Sequence, residues 1–317
     1  MEGKRGVLRL AAATLLVGAI WIMSTAAAEE PNQAGDGKLR IIAFGAHPDD
    51  CEYDAGGTAI MWAKQGHHVK FVSTTNGDVG HATMAGGPLA KRRMAEAKKT
   101  DAVLGVESQV LDIHDGELMP TLENRKTIIR LIREWKADIV IAPRPYDYHP
   151  DHRYTGILVQ DAAFMVIVPH LCPDVPQLAK NPVFFYSSDG FRKPNPFEPD
   201  IIVVTDSVID QKAEALWQME SQVESLWATG NFEKVVPVPK EGEARKEYEK
   251  KAKERITSRD SSFANKYRSK LIELYGEEKA KGIKFVEAFE LCEYGRQPSK
   301  EELKKLFPAS QIVSAQK

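Results

Sequence analysis

Two short runs hold the side chains that could do chemistry: His47-Pro48-Asp49-Asp50 and, far along the chain, His149-Pro150-Asp151-His152. A catalytic zinc takes three nitrogen or oxygen ligands and leaves a fourth position to water. His47 and Asp50 are three residues apart, so one turn of chain can aim both at one point, and His152 can approach from a facing loop. That His2Asp set suits Zn2+, and Fe2+ or Co2+ after it. Asp49 is left over beside the metal, where it could accept the proton of a metal-bound water, whose pKa falls to about 7 on zinc. His149 and Asp151 are left over on the other side. A histidine oriented by a carboxylate, and kept positive by it, is a donor for a tetrahedral oxyanion or a leaving amine. The parts add up to metal-assisted hydrolysis of an amide with no covalent enzyme intermediate.

Such a site needs elements that bring the two runs together. LRIIAFGA (39–46) reads as a buried strand that stops at His47, and ADIVIAP (137–143) as another that ends shortly before the second run. Between them lie strands at 68–75 and 108–114 and helices at 56–66, 88–105 and 121–136. The first of these helices has glycine at each end, the second starts with proline and ends with glycine, and the third opens on a partial Thr121-x-x-Asn124 capping signal. Strands alternating with helices of this length predict an α/β fold with a parallel sheet and helices on both faces. In such sheets sites form at the carboxyl ends of strands, where both runs stand. The C-terminal half is less regular, with strands expected at 182–187 and 200–206 and one helix over 207–227. The almost fully charged stretch at 240–256 reads as a solvated helix or an insertion.

With 43 Lys+Arg against 45 Asp+Glu, the chain has no electrostatic footprint for nucleic acid or an anionic membrane surface. Its N-terminus differs: Lys4, Arg5 and Arg9 precede an apolar run from Leu10 to Met23, and Ala26-x-Ala28 follows. This reads as a secretory leader at 1–28, cleaved after Ala28. The alternative is an uncleaved membrane anchor, against which the apolar run is shorter than the roughly 20 residues that span a bilayer. The expectation is therefore an exported protein without stable membrane insertion. A linker follows at 29–38, then one domain at 39–300 and a tail at 301–317. Cys51, Cys172 and Cys292 form no CxxC and are expected to be small buried hydrophobes.

The run AHPDDCEYDAGG followed by HPDHR resembles the PIG-L/LmbE-like family of zinc-dependent N-deacetylases. The TNGDVGH loop, Arg93 and Glu96 within LAKRRMAEAKK, LDIHDGEL (111–118), LWQMESQ (216–222) and FVEAF (285–289) stand in the family's order. The resemblance implies a Rossmann-like fold, zinc held by His47, Asp50 and His152, Asp49 as general base, and His149 stabilising the oxyanion or protonating the amine. Asp151 would hold a histidine of that pair, and Arg93 would contact a sugar substrate; its alternative is a helix-surface arginine paired with Glu96. The expected function is removal of an N-acetyl group from an N-acetylglucosamine-type sugar or glycan. The other reading is a non-catalytic carbohydrate-binding protein that keeps the metal pocket. No G-x-G-x-x-G follows the first strand, which sets aside a nicotinamide enzyme. Three departures stand out. Cys51 precedes Glu52, which is expected to support the metal ligands from outside; Tyr146 and Tyr148 precede the second run; and Met219 replaces a polar residue at the pocket rim.

Overall fold

The computed structural model describes residues 36–230, 232–308 and 310–312. The expected leader lies outside the described residues, as do most of the linker and the end of the tail. Five strands run parallel: β1 (Arg40–Gly45), β2 (His68–Ser73), β3 (Glu107–Val110), β4 (Ile139–Ala142) and β5 (Val183–Ser187). They are joined by α1 (Asp50–Lys64), α2 (Gly87–Leu104), α3 (Leu122–Trp135) and α4 (Pro150–Met165). The chain continues through β6 (Ile201–Val204), α5 (Ile209–Trp217), α6 (Glu220–Val223), α7 (Leu226–Thr229), α8 (Gly242–Lys266), α9 (Arg268–Tyr275), α10 (Glu277–Gly282), β7 (Val286–Leu291), α11 (Lys300–Leu306) and β8 (Ser310–Ile312).

The sheet order is β3-β2-β1-β4-β5-β7-β6-β8. The parallel sheet expected from the sequence is present, with an antiparallel edge added: β7 pairs antiparallel with β5 and β6, and β8 with β6. From β1 the connections run outward to β2 and β3 on one side, while β4 and β5 extend the other. The strand order therefore reverses between β1 and β4, where open α/β sheets leave a crevice at their carboxyl ends. Both His-Pro-Asp runs open onto that crevice.

The central strands are buried on both faces, which is why they read as unbroken apolar runs. Ile41, Ala43, Ile139 and Ile141 pack with α1, while Ile42, Phe44, Val140 and Ala142 pack with α3 and α4. The segment set apart as a tail also joins the core. Leu306 accepts a hydrogen bond from the Trp62 indole at 2.9 Å, and the Phe307 ring packs on Phe185 and Phe289. All three cysteines are buried and free. Among the described residues no helix is long and apolar enough to cross a membrane.

Two helices differ from expectation. α1 starts at Asp50, six residues before the predicted start, so Gly56 and Gly57 lie inside it. Gly57 is there because of a close approach: a Cβ would stand 2.8 Å from Thr205 Cγ2 and 3.0 Å from Glu287 Oε1. The single helix expected over 207–227 is broken into α5, α6 and α7. The break lets Ser221 donate both its N–H and its hydroxyl to buried Glu96 on α2, at 3.0 and 2.6 Å.

The charged segment forms the first part of α8, solvated on its outer side. The second part of α8 is anchored by a sealed ion triad. Lys212 of α5 lies 2.7 Å from Asp260 of α8 and 2.8 Å from Glu287 of β7. Glu287 also accepts from the Gly57 and Thr58 backbone N–H groups of α1. Burial works against the Lys212 cation, but the two carboxylates hold its pKa above the ordinary value, so it is charged at neutral pH. Removing one member of such a network leaves uncompensated charge in the interior. Lys212→Met is expected to cost about 3–5 kcal/mol of stability. Urea unfolding checks this: a loss below ~1 kcal/mol, the range of exposed pairs, would show that the triad does not hold the antiparallel edge to α1.

Candidate metal centre

At the end of β1 the chain turns back on itself, and Asp50 is the first residue of α1. Its Oδ2 accepts backbone N–H groups from Ala46 at 2.8 Å and His47 at 2.9 Å. The same oxygen lies 3.5 Å from His47 Nδ1 and 3.5 Å from His152 Nε2, and those two nitrogens are 3.2 Å apart. Three donor atoms from two loops thus form a near-equilateral triangle. Tetrahedral bonds of about 2.0–2.1 Å to one cation place neighbouring donors about 3.3 Å apart. The residues present fit a zinc-sized ion.

Each histidine is oriented from behind. His47 Nε2 lies 3.0 Å from Asp115 Oδ1 and 3.5 Å from Asp151 Oδ2, and His152 Nδ1 lies 3.1 Å from Asp147 Oδ1. A ring N–H facing a carboxylate leaves the opposite nitrogen as a lone pair for a metal. His47, Asp115 and Asp151 also bring donor atoms within 4.8 Å of one another. In that grouping, however, the carboxylates meet the proton-bearing side of His47 and serve to aim its ring. Asp115 and Asp147 were not singled out from the sequence. Asp147, two residues before His149, carried the clearer signal.

His149 and Asp151 are arranged differently from the expected pair. Asp151 is fully buried and accepts from Gly116 N at 2.6 Å and Leu118 N at 3.2 Å. It ties the loop after β3 to the start of α4 and supports His47; its carboxylate does not hold His149. The His149 Nδ1 instead accepts the Asp151 backbone N–H at 3.2 Å, capping α4. Burial, followed by the nearby His47 and His152 charges, lowers the His149 pKa, which works against the imidazolium expected. With Nδ1 accepting, its proton sits on Nε2, and it remains a donor. The nitrogens of His47, His149 and His152 all fall within 4.8 Å, so His149 faces the same point.

Asp49 stands beside the triangle and outside it. Its φ of 150° is rare for a residue with a side chain, and such strain concentrates at functional sites. Desolvation, then the charge of Asp50, pushes its pKa up to about 7 against the pull of Arg93, His47 and His152. Its Oδ2 accepts the Gln222 amide at 2.7 Å. Gln222 belongs to α6, the short helix created by the break after α5. For Asp50 burial works in the raising direction, but His152 and His47 overcome it and hold the group well below the carboxylate range.

Arg93 is buried and faces Asp49 and Asp115, its Nη2 donating to the Gly80 carbonyl at 2.5 Å. The surface alternative is overturned: Arg92, not Arg93, bonds Glu96 at 3.0 Å. Gly77, at φ 68°, makes room for the guanidinium, since a Cβ would lie 2.5 Å from Arg93 Nη1. Two other expectations change. Glu52 does not support the metal ligands; it is buried, its Oε2 has no hydrogen-bond partner, and desolvation pushes it up to about 8. Met219 is not at the rim but in a core cluster with Leu216 and Ile256. A cavity of 310 Å³ opens over Asp49, Asp50 and His152 and is also lined by Tyr148 and Phe191.

Residues 42–163 match the family model described as PIG-L, GlcNAc-PI de-N-acetylase. The diacetylchitobiose deacetylase of Thermococcus kodakarensis is 33% identical over 200 residues, which are 59% of this chain and 72% of that protein. Among solved structures, the N,N'-diacetylchitobiose deacetylase of Pyrococcus horikoshii superposes with a TM-score of 0.60. It is 23% identical over 84% of this chain and 88% of that one. The 4-carboxy-2-hydroxymuconate hydratase of Pseudomonas putida gives a TM-score of 0.64 at 17% identity, over 82% and 99%. Both likenesses are of fold.

Proton balance tests the triangle. The carboxylates around them overcome burial and raise the pKa of both His47 and His152. A cation must therefore displace protons from the nitrogens it takes. Zn2+ uptake is expected to release protons, and affinity to fall by roughly tenfold per pH unit for each proton displaced. Calorimetry in buffers of different ionisation enthalpy measures this; uptake with no proton release would place the ion elsewhere.

Proposed function

This chain belongs to the PIG-L family of deacetylases, and from that premise we propose that it hydrolyses the acetamide of an N-acetylglucosamine-type sugar at a divalent-metal centre. The observation that carries the reading is the His47–Asp50–His152 triangle with an unligated carboxylate, Asp49, beside it. Zn2+ held there, or Fe2+ or Co2+ in its place, lowers the pKa of a water and polarises the acetyl carbonyl.

The protein's own groups do the rest. Asp49, near 7 and held by Gln222, takes the proton of the attacking water. His149 offers its Nε2–H to the carbonyl oxygen as negative charge develops there; a neutral donor suffices for that role. Asp49, now protonated, can pass its proton to the departing nitrogen. Asp115, Asp147 and Asp151 keep the two ligand rings aimed. Arg93 is assigned to the sugar hydroxyls, and its charge limits the upward shift of Asp49. The reading includes export: the leader at 1–28 is removed after Ala28.

In the Zn2+-loaded full chain, Asp49→Asn is expected to lower acetate release about 10²–10⁴-fold with metal content unchanged. His152→Ala is expected to lose the metal itself. Metal analysis beside an acetate assay separates the two; loss of metal from the Asp49 variant would remove its role as base. N-terminal sequencing of exported protein should begin at Glu29, and a sequence starting at Met1 would contradict the leader assignment.

A further inference from the structure

The same cavity extends past the metal ligands to a second polar end, and that end has its own construction. Asp54 lies four residues beyond Asp50 on α1, on the same helical face and about 6 Å further along. Arg259 of α8 donates to the Asp54 carboxylate and to the Ser188 carbonyl. Ser187 donates its hydroxyl to Asp54 Oδ2 at 2.6 Å. The guanidinium lies 5.0 Å over the Tyr53 ring, and Tyr53 stacks against Trp227 at 6.3 Å and 27°. All of these groups line the cavity with Asp49 and His152.

We propose that Asp54, Arg259 and Trp227 form a second saccharide subsite, so that the substrate is an oligosaccharide whose acetylated unit sits at the metal and whose neighbouring unit lies on Trp227. This rests on the deacetylase reading and names its substrate class. A guanidinium has five N–H donors in a plane and a carboxylate has several lone pairs. Side by side they offer donor and acceptor to adjacent sugar hydroxyls, while an aromatic face covers the ring's C–H surface. Lys212, which already ties α1, α8 and β7 together, has 1% of its side chain exposed, against 21% for Arg259 and 22% for Asp54. The Arg259 pair is left open to the cavity.

Trp227 also lines a second, 630 Å³ groove with Val223, Tyr248 and Ala252, which offers an apolar tail a competing route. The test compares kcat/KM for an N,N'-diacetylated disaccharide, free N-acetylglucosamine and its octyl glycoside, in the Zn2+-loaded full chain and in Trp227→Ala and Trp227→Phe. The disaccharide is expected to be preferred over the monosaccharide by at least about tenfold. That ratio should collapse in Trp227→Ala and recover in Trp227→Phe. Equal loss on all substrates, or a ratio unmoved by the variant, overturns the subsite, and preference for the octyl glycoside transfers the role to the groove. Saturation-transfer NMR of the disaccharide with Asp49→Asn separates the two readings. If no substrate releases acetate, the deacetylase reading fails, yet contact of both rings, with the second lost in Trp227→Ala, still supports the subsite. Contact of one ring alone overturns it.

Discussion

The site depends on one carboxylate satisfying two demands with one oxygen. Asp50 Oδ2 accepts the backbone N–H groups of Ala46 and His47 and still faces His47 Nδ1 and His152 Nε2. Those backbone bonds fold the chain back at the end of β1, so that α1 begins at once and carries Asp50 on its first turn. The positive φ of Asp49 follows from the same tight return. A carboxylate that also closes the turn cannot drift, and this is how a strand end, a helix start and a second loop bring three donor atoms within 3.5 Å of one another.

The remaining architecture aims this construction. The loop after β3 brings Asp115 and the Gly116 and Leu118 N–H groups, and Asp151 binds it to α4, so His47 is supported from two elements beyond its own. The break between α5 and α6 gives up helical hydrogen bonds and gains Ser221 on Glu96 and Gln222 on Asp49. Propensity over 207–227 favours one helix. Two buried carboxylates that need donors overrule it, because an unsatisfied buried charge costs more than a frayed turn.

What was legible in the sequence divides along this line. Both His-Pro-Asp runs, the meeting of His47, Asp50 and His152, and the parallel sheet could be read, because strand periodicity and short local spacing carry them. The antiparallel edge could not, since β7 reaches β5 from about a hundred residues away and nothing in FVEAF says which neighbour it will take. Asp115 and Gln222 were hidden for the same reason: each acts through a long-range contact or a helix break, and alone looks like an ordinary polar surface residue. His149 was expected to be held by a carboxylate, because adjacency to Asp151 in sequence suggested that partner. The helix start turns that carboxylate toward His47 and leaves His149 only a backbone N–H.

The superposition on a hydratase as well as a deacetylase shows that this scaffold does not choose the reaction. In this chain the two adjacent carboxylates of the site are driven apart in proton affinity. Asp49 and Asp50 share a backbone, yet desolvation and its neighbour's charge raise one to about 7, while the other is surrounded by two imidazoles and two backbone donors and stays an anion. Acid–base roles are set by pushing paired groups apart in this way. The anion is fit to hold a cation permanently; the raised carboxylate is fit to gain and lose a proton near neutral pH. The proposed hydrolysis would use both: the anion would hold the cation, and the raised carboxylate would keep the proton taken from water close enough to be returned to nitrogen. The Gln222 amide, 2.7 Å from Asp49 Oδ2, holds the raised carboxylate beside the His47–Asp50–His152 triangle.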